Sequence, residues 1–329
     1  MRTQELVRNT LSTVRAFLHP TLGRSMDMEG TLAPTPAGNV FLYEETKGEG
    51  TPVVLVHSVN AAASSYEMRP LFESFRGTRP VLAFDLPGFG RSERGHRDYD
   101  RGLFREAVGA MIDRMALHRG GFVHVVALSL GCEFAAAAAL ARPEKVRSLA
   151  FIAPTGLGTR KETPQENAEQ GRSEEVMRYL DKPLLGAPLF AALASWPSIY
   201  YFLSQSFVGR VNDGLAAYAH ASAHQPGARY APLAFLSGRL FDPRIMPDVY
   251  EKLTCPVAVL YDKDPYSDYA YLKRMLERPG WTATRIAPTR GMPHFEELNA
   301  TMAALRAHFQ PLDAEDARMD QAESLQPGF

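Results

Sequence analysis

Short apolar runs rich in β-branched residues recur along the chain, most of them followed by a longer segment whose apolar positions fall at helical spacing. Val40–Glu44 and Val53–His57 read as strands, Ser65–Arg76 as a helix, Pro80–Phe84 as a strand, and residues 101–118 contain a further helix. The run Phe122–Val126 has the density of a buried parallel strand, and Cys132–Ala141 has the composition of a helix. Val146–Ala153, Pro256–Tyr261 and Thr282–Ile286 complete the strands, with helices after each. Such alternation predicts an α/β fold with a mostly parallel, doubly wound sheet and right-handed crossovers. The rhythm breaks over residues 155–250, where helical and proline-punctuated stretches rich in aromatics predict an inserted helical cap. The resulting division is an amphipathic N-terminal segment (1–38), a core (39–154 and 251–310), the insertion (155–250) and a polar, solvated C-terminal tail (311–329).

Composition narrows the function classes. The chain has 329 residues, 45% of them hydrophobic, enough for a large core. A formal charge of −1 and a pI near 6.8 provide no field to attract nucleic acid, so nucleic-acid binding is set aside. Two cysteines, Cys132 and Cys255, make no disulfide framework and lack metal-ligand spacing, which fits a reducing cytoplasm. No run approaches the roughly 18 apolar residues of a spanning helix, and no secretory signal is evident. Leu6, Val7, Leu11, Val14, Phe17 and Leu18 recur at helical spacing among Arg2, Arg8 and Arg15. Such a helix docks its stripe on the protein body or makes peripheral membrane contact; docking is the reading preferred here.

The chemistry begins at Ser129, in Ala127-Leu128-Ser129-Leu130-Gly131, where a strand gives way to a helix with room only for a tight turn. A serine there projects its hydroxyl from the sheet edge, and the next backbone N–H, that of Leu130, lies at a helix N-terminus able to hold an oxyanion. Serine nucleophiles need a base and a group to orient it. His294 follows the last strand, and Asp262 and Asp264 follow the one before it. The C-terminal ends of parallel strands share one edge, so Ser129, an aspartate and His294 are expected to converge there.

Two further segments carry a family resemblance. Val56-His57-Ser58-Val59-Asn60 resembles a His-Gly oxyanion loop, and Asp85-Leu86-Pro87-Gly88-Phe89-Gly90-Arg91-Ser92 matches an Asp-x-Pro-Gly-x-Gly-x-Ser turn. With the serine elbow and the order Ser, Asp, His, they make the chain similar to the α/β-hydrolase fold superfamily, of the serine-nucleophile, capped kind. The resemblance covers about residues 39–154 and 251–310. It implies Ser129 as nucleophile, His294 as base, Asp264 (before Pro265, as in the family) as the acid, and the N–H groups of Leu130 and Val59 as oxyanion donors. It also implies a small-molecule substrate and no cofactor. The sequence departs from the pattern at Ala127 and Ser58, where glycine is usual, and at Tyr261.

Other candidates read as structural. His57 is expected to tie loops together. His220 and His224 lie four apart without a zinc motif, so no metal is expected. The Asp85 turn reads as architectural, and Glu296 and Glu297 as favouring the first turn of the last helix. In the insertion, Trp196, Tyr200 and Tyr201 are the expected substrate contacts, with Phe190, Phe202, Tyr218, Tyr230 and Phe235 supplying cap core or pocket. The leading expectation is hydrolysis of a carboxylic ester of a small or medium apolar acyl compound through an acyl-enzyme. The same triad serves C–C, amide or lactone cleavage and acyl transfer, and a ligand-binding protein on this fold is the alternative class.

Overall fold

The computed structural model describes residues 21–158 and 166–324. Its strands are β1 (Thr31–Thr35), β2 (Gly38–Glu45), β3 (Val53–Val56), β4 (Val81–Phe84), β5 (Val123–Leu128), β6 (Val146–Ile152), β7 (Val257–Tyr261) and β8 (Trp281–Arg285). They form one sheet in the order β1-β2-β4-β3-β5-β6-β7-β8. The pairings β1/β2 and β2/β4 are antiparallel and the remainder parallel. The expected α/β architecture is present, with β1 as an addition.

β1 lies within the segment read from sequence as an amphipathic N-terminal stretch. It is an edge strand with a proline and mostly exposed positions, and so lacks the apolar alternation that marks a half-buried strand. The residues of the predicted N-terminal stripe, Leu6, Val7, Leu11, Val14, Phe17 and Leu18, all lie outside the described residues.

Alternate side chains of the central strands enter two layers, as the two-residue period of a strand requires. Val54, Val56, Val125 and Ala127 pack with α2 (Arg101–Met115) and α3 (Gly131–Leu140) on one face. Val53, Leu55, Val126 and Leu128 pack on the other with α1 (Arg69–Phe75) and the last long helix, Leu298–Ser324.

The insertion between β6 and β7 is helical, with no strand among its described residues. It comprises α4 (Glu166–Leu180), α5 (Pro183–Leu193), α6 (Trp196–Gln205), α7 (Asp213–Ala223), α8 (Tyr230–Leu236) and α9 (Ile245–Asp248). It has a small core of its own, from Phe190, Ile199, Ala219 and Leu233. It rests on the loop after β4 and on the first turn of α3. The Arg94 guanidinium donates to the Ser222 carbonyl at 2.9 Å, and the Asp242 N–H donates to the buried Glu133 carboxylate at 2.9 Å.

α10 (Leu272–Leu276) lies between β7 and β8, and α11 (Pro293–Glu296) and α12 (Leu298–Ser324) follow β8. The expected solvated tail is corrected here, because α12 continues through Pro311 to Ser324. Asp313 pairs with Arg79 at 2.7 Å and with buried His124 at 3.2 Å, while Arg147 takes Glu315 and Asp316 at 2.6 and 2.7 Å. These acids hold α12 to the N-terminal edge of the sheet. No helix among the described residues is long and apolar enough to cross a membrane.

Candidate active site

Strand register explains why the elbow and the loop after β3 are neighbours. Val56 pairs with Ala127, and Leu128 with Ile152, so the chain leaves β3, β5 and β6 at one level of the sheet. Ser129 turns that corner in the left-handed region, at φ +52°. For a residue with a side chain this conformation costs about 1–3 kcal/mol, and such strain gathers at functional positions. The other described non-glycine residues with positive φ are Ala153 and Tyr269, after β6 and β7 on the same edge.

The turn is held by backbone bonds from Ser129 N–H to the Ile152 carbonyl (2.9 Å) and from Cys132 N–H to the Ser129 carbonyl (3.0 Å). Gly131 is required for a different reason: a β-carbon there would collide with the His57 carbonyl oxygen. Helix α3 and the loop after β3 therefore touch backbone to backbone. The N–H groups of Leu130 and Val59 donate to no acceptor among the described residues. Both residues are otherwise buried. Ala127, at a usual glycine position, places its methyl in the core.

The loop after β3 is braced by groups that sequence reading only partly identified. His57 bridges loops as expected: its Nδ1–H donates to the Ser58 carbonyl (2.5 Å), and its Nε2 accepts from Leu86 N–H (2.9 Å). Burial depresses its pKa, although Glu67 and Asp85 oppose the shift, so the ring is neutral. The Asp85 carboxylate accepts from Ser65 N–H and Arg91 N–H, both at 2.8 Å, and occupies the space that a side chain at Gly90 would need.

Glu67 was missed. It is 2% exposed, and its carboxylate accepts from Ser58 N–H at 2.9 Å and from Asn60 Nδ2 at 3.0 Å. The Ser58 hydroxyl also accepts from Asn60 Nδ2 at 3.0 Å, so the side chain found where glycine is usual belongs to this network. A glutamate one turn into a helix that otherwise buries Met68, Leu71 and Phe72 was the available signal.

The three expected catalytic side chains are not joined by hydrogen bonds in this structure. His294, in α11, is fully buried, and its Nε2–H donates to the main-chain carbonyl of Glu67 at 2.6 Å. Its Nδ1 has no hydrogen-bond partner among the described residues. Burial lowers its pKa to about 4, with the Glu67 bond opposing the shift. The ring borders a cleft formed with Tyr66, Arg69, Asn212 and Leu298.

Asp264 accepts from Tyr266 N–H at 2.6 Å and from the Tyr269 hydroxyl at 3.4 Å, and burial raises its pKa. It lies against Gly291, in the loop that leads to His294. Backbone topology thus brings the Asp264 and His294 loops together, while the His294 ring in this structure bonds Glu67.

Asp262 is fixed elsewhere, accepting from Arg285 Nε at 2.7 Å and Thr289 N–H at 3.0 Å. Glu296 departs from its expected role as a helix-dipole partner. It accepts from Val208 and Gly209 N–H at 2.6 and 3.0 Å and from Arg290 N–H at 3.0 Å, joining the insertion to the histidine loop.

Trp196, Tyr200 and Tyr201, expected to contact substrate, stand 45%, 37% and 60% exposed on α6, with the Trp196 and Tyr200 rings stacked on each other. His220 and His224 lie ring against ring at 4.1 Å, and no group of three or more metal-ligating side chains occurs among the described residues.

Comparison with known proteins agrees with the architecture. A dihydrolipoyllysine-residue acetyltransferase component of an acetoin cleaving system from Pseudomonas putida is 32% identical over 124 residues, 37% of this chain and 32% of the relative. A haloalkane dehalogenase from Agrobacterium fabrum is 30% identical over 119 residues, 36% of this chain and 38% of the relative. The chain thus spans under two fifths of each of these relatives. The crystal structure of DBJA superposes with a TM-score of 0.66 at 19% identity, covering 88% of this chain and 99% of that one, a likeness of fold. The model of the alpha/beta hydrolase family matches residues 53–305, from β3 into α12. This chain therefore belongs to the alpha/beta hydrolase family.

Proposed function

We propose that the protein is a cofactor-independent serine hydrolase acting on a carboxylic ester of a small or medium apolar acyl compound. The observation that carries the reading is the left-handed elbow at Ser129, together with Leu130 and Val59 N–H groups that donate to no acceptor among the described residues. Serine as nucleophile separates it from the haloalkane dehalogenases of the family, which use aspartate. In the proposed reaction His294, oriented by Asp264, removes the Ser129 proton as the oxygen attacks the ester carbonyl. The two N–H groups hold the oxyanion, each worth about 3–4 kcal/mol in the transition state. Collapse expels the alcohol with the proton carried by His294, and water then cleaves the acyl-enzyme by the same steps reversed. For this the His294 ring must leave the Glu67 carbonyl. The helical insertion acts as a cap over the serine.

A fluorophosphonate probe tests the nucleophile, and a panel of p-nitrophenyl esters of increasing chain length tests the reaction. Labelling of Ser129 and ester turnover, both absent in Ser129→Ala, are the expected results; no labelling of the folded wild type would overturn the reading. A second reading is favoured by the present orientation of His294, bonded to Glu67 and not to Ser129: a ligand-binding protein on the same fold. It predicts no label, no turnover and tight ligand binding that survives Ser129→Ala.

A further inference from the structure

The sequence departs from the family pattern at Tyr261, where glycine is usual, and in the structure that ring has a specific neighbour. Tyr261 closes β7, and its ring stands edge-on to that of Tyr269, with centroids 5.3 Å apart and planes at 65°. Both rings pack, partly buried, against the core. Tyr269 lies between β7 and α10 with φ at +51°, a region that a bulky residue enters only where its surroundings hold it. Two backbone bonds help to do so: Leu272 N–H donates to the Tyr269 carbonyl at 2.9 Å, and Tyr271 N–H to the Leu157 carbonyl at 2.8 Å. The phenol is a further anchor, donating to Asp264 Oδ2 at 3.4 Å.

The two oxygens of Asp264 are held differently. Oδ1 accepts from Tyr266 N–H at 2.6 Å, a bond local to the turn, whereas Oδ2 has the Tyr269 hydroxyl as its donor. Oδ2 is also the Asp264 atom nearest the loop that leads to His294, since a β-carbon at Gly291 would lie 3.6 Å from it. We propose that Tyr269 is a positioning residue: its hydroxyl, braced by the Tyr261 ring, points Oδ2 of Asp264 at the histidine loop. The inference rests on the serine-hydrolase reading.

A carboxylate oxygen has two lone pairs, so the phenol and an arriving His294 N–H can share Oδ2. The phenol serves only as a donor. Burial and then the neighbouring Asp264 charge raise its pKa, so it stays protonated and no proton leaves it during the reaction. By donating, it also favours the charged carboxylate against the burial that pushes the Asp264 carboxyl up. Glycine at position 261 has no ring to brace the phenol, which gives the departure from the family pattern a physical reason.

Tyr269→Phe removes one oxygen and keeps both rings. The full chain, with its aspartates carbon-13 labelled at the carboxyl, is titrated by NMR, the Asp264 signal being assigned through Asp264→Asn. Turnover of p-nitrophenyl acetate is followed across pH in parallel. Without the phenol the Asp264 midpoint should rise by about 0.5–1 pH unit. The carboxylate, then more basic, holds protonated His294 more firmly, so the acid limb of kcat/KM should move up as well. Loss of one hydrogen bond to a charge should lower kcat about tenfold, with KM within about twofold. A merely structural role would lower stability and leave the midpoint and the acid limb in place.

Tyr271→Phe, the same change two residues along, is the control and should alter neither readout. Tyr261→Leu keeps the phenol and removes its brace, and should shift both readouts in the same direction by less. An unchanged midpoint and kcat in Tyr269→Phe overturn the proposal, and so does a fall in kcat with the midpoint and acid limb unmoved. If far-UV circular dichroism shows that Tyr269→Phe does not fold, Tyr261→Leu decides by the same criteria. A midpoint that rises in a protein whose wild type neither labels with fluorophosphonate nor turns over ester supports the placement of Tyr269 on Asp264 and overturns only the hydrolase reading.

Discussion

Replacing Glu67 by alanine tests whether a buried carboxylate holds the site together. The side chain accepts from Ser58 N–H at 2.9 Å and Asn60 Nδ2 at 3.0 Å from a position 2% exposed. Hydrogen bonds to a charged group are worth roughly 1.5–3 kcal/mol each, so the pair sets a ceiling of about 6 kcal/mol. Two effects reduce it. Removing the charge relieves its own desolvation, and Asn60 keeps the Ser58 hydroxyl as an acceptor at 3.0 Å. Ser58 N–H is left buried without a partner, so the expected loss is about 2–4 kcal/mol. Glu67→Gln should lose about half as much, because its oxygen still serves Ser58 N–H while its NH2 faces the NH2 of Asn60. Urea unfolding followed by circular dichroism gives these values. The loop also carries Val59, so with p-nitrophenyl acetate kcat should fall by about 10²-fold with little change in KM, up to the loss of one oxyanion donor. A Glu67→Ala protein within about 0.5 kcal/mol of wild type, with unchanged kcat, would refute the bracing role.

Three other outcomes follow from the same geometry. Gly131→Ala sets a methyl against the His57 carbonyl oxygen and should cost about 1–3 kcal/mol in urea unfolding, with a larger relative fall in kcat than a mutation in the outer core. Burial holds His294 at a pKa of about 4, below the ordinary 6.5. Above pH 6.5 the ring is neutral in both states, and as pH falls toward 4 the unfolded chain takes up a proton that the folded chain refuses. Stability should therefore decline at up to about 1.4 kcal/mol per pH unit for this ring. His308, also lowered to about 4 by burial, adds a similar decline, so His294→Gln should flatten, not abolish, the slope of urea midpoints between pH 6.5 and 4.5. Asp313→Ala removes the acid shared by Arg79 and buried His124 and should destabilise by about 1–3 kcal/mol, an effect absent if residues beyond Pro311 are merely solvated.

What the sequence disclosed divides along physical lines. Strands such as Val53–Val56 were legible because burial on both faces demands an unbroken apolar run. Ser129 was legible because a strand-to-helix corner favours small residues two positions to either side, here Ala127 and Gly131, and Gly131 shows the contact that enforces it. β1 escaped because an edge strand has no such demand. The pairing of Asp313 with Arg79 joins residues 234 apart, and no local pattern distinguishes those acids from a solvated tail. Glu67 was hidden for a related reason: its partners, Ser58 and Asn60, are near in sequence, but only the fold shows that the carboxylate is buried against them.

The direction of the His294 ring is the part that periodicity and spacing do not encode, and energies show what it implies. Backbone topology puts Asp264 beside Gly291, three residues before the histidine, whereas the ring has taken the main-chain oxygen of Glu67. A neutral hydrogen bond of that kind is worth about 0.5–1.5 kcal/mol net, and one to an ionised carboxylate about 1.5–3 kcal/mol. Exchange of Glu67 for Asp264 as the acceptor is therefore favourable whenever the backbone lets the ring reach, and the nearby negative charge would raise a basicity that burial now depresses. Glu67 then has two opposed effects on the proposed reaction. Its side chain shapes the loop that offers Val59, and its main chain competes for the base. Substitution of the side chain leaves that competing carbonyl in place, which is why loop geometry and histidine engagement are separable by mutation at a single residue.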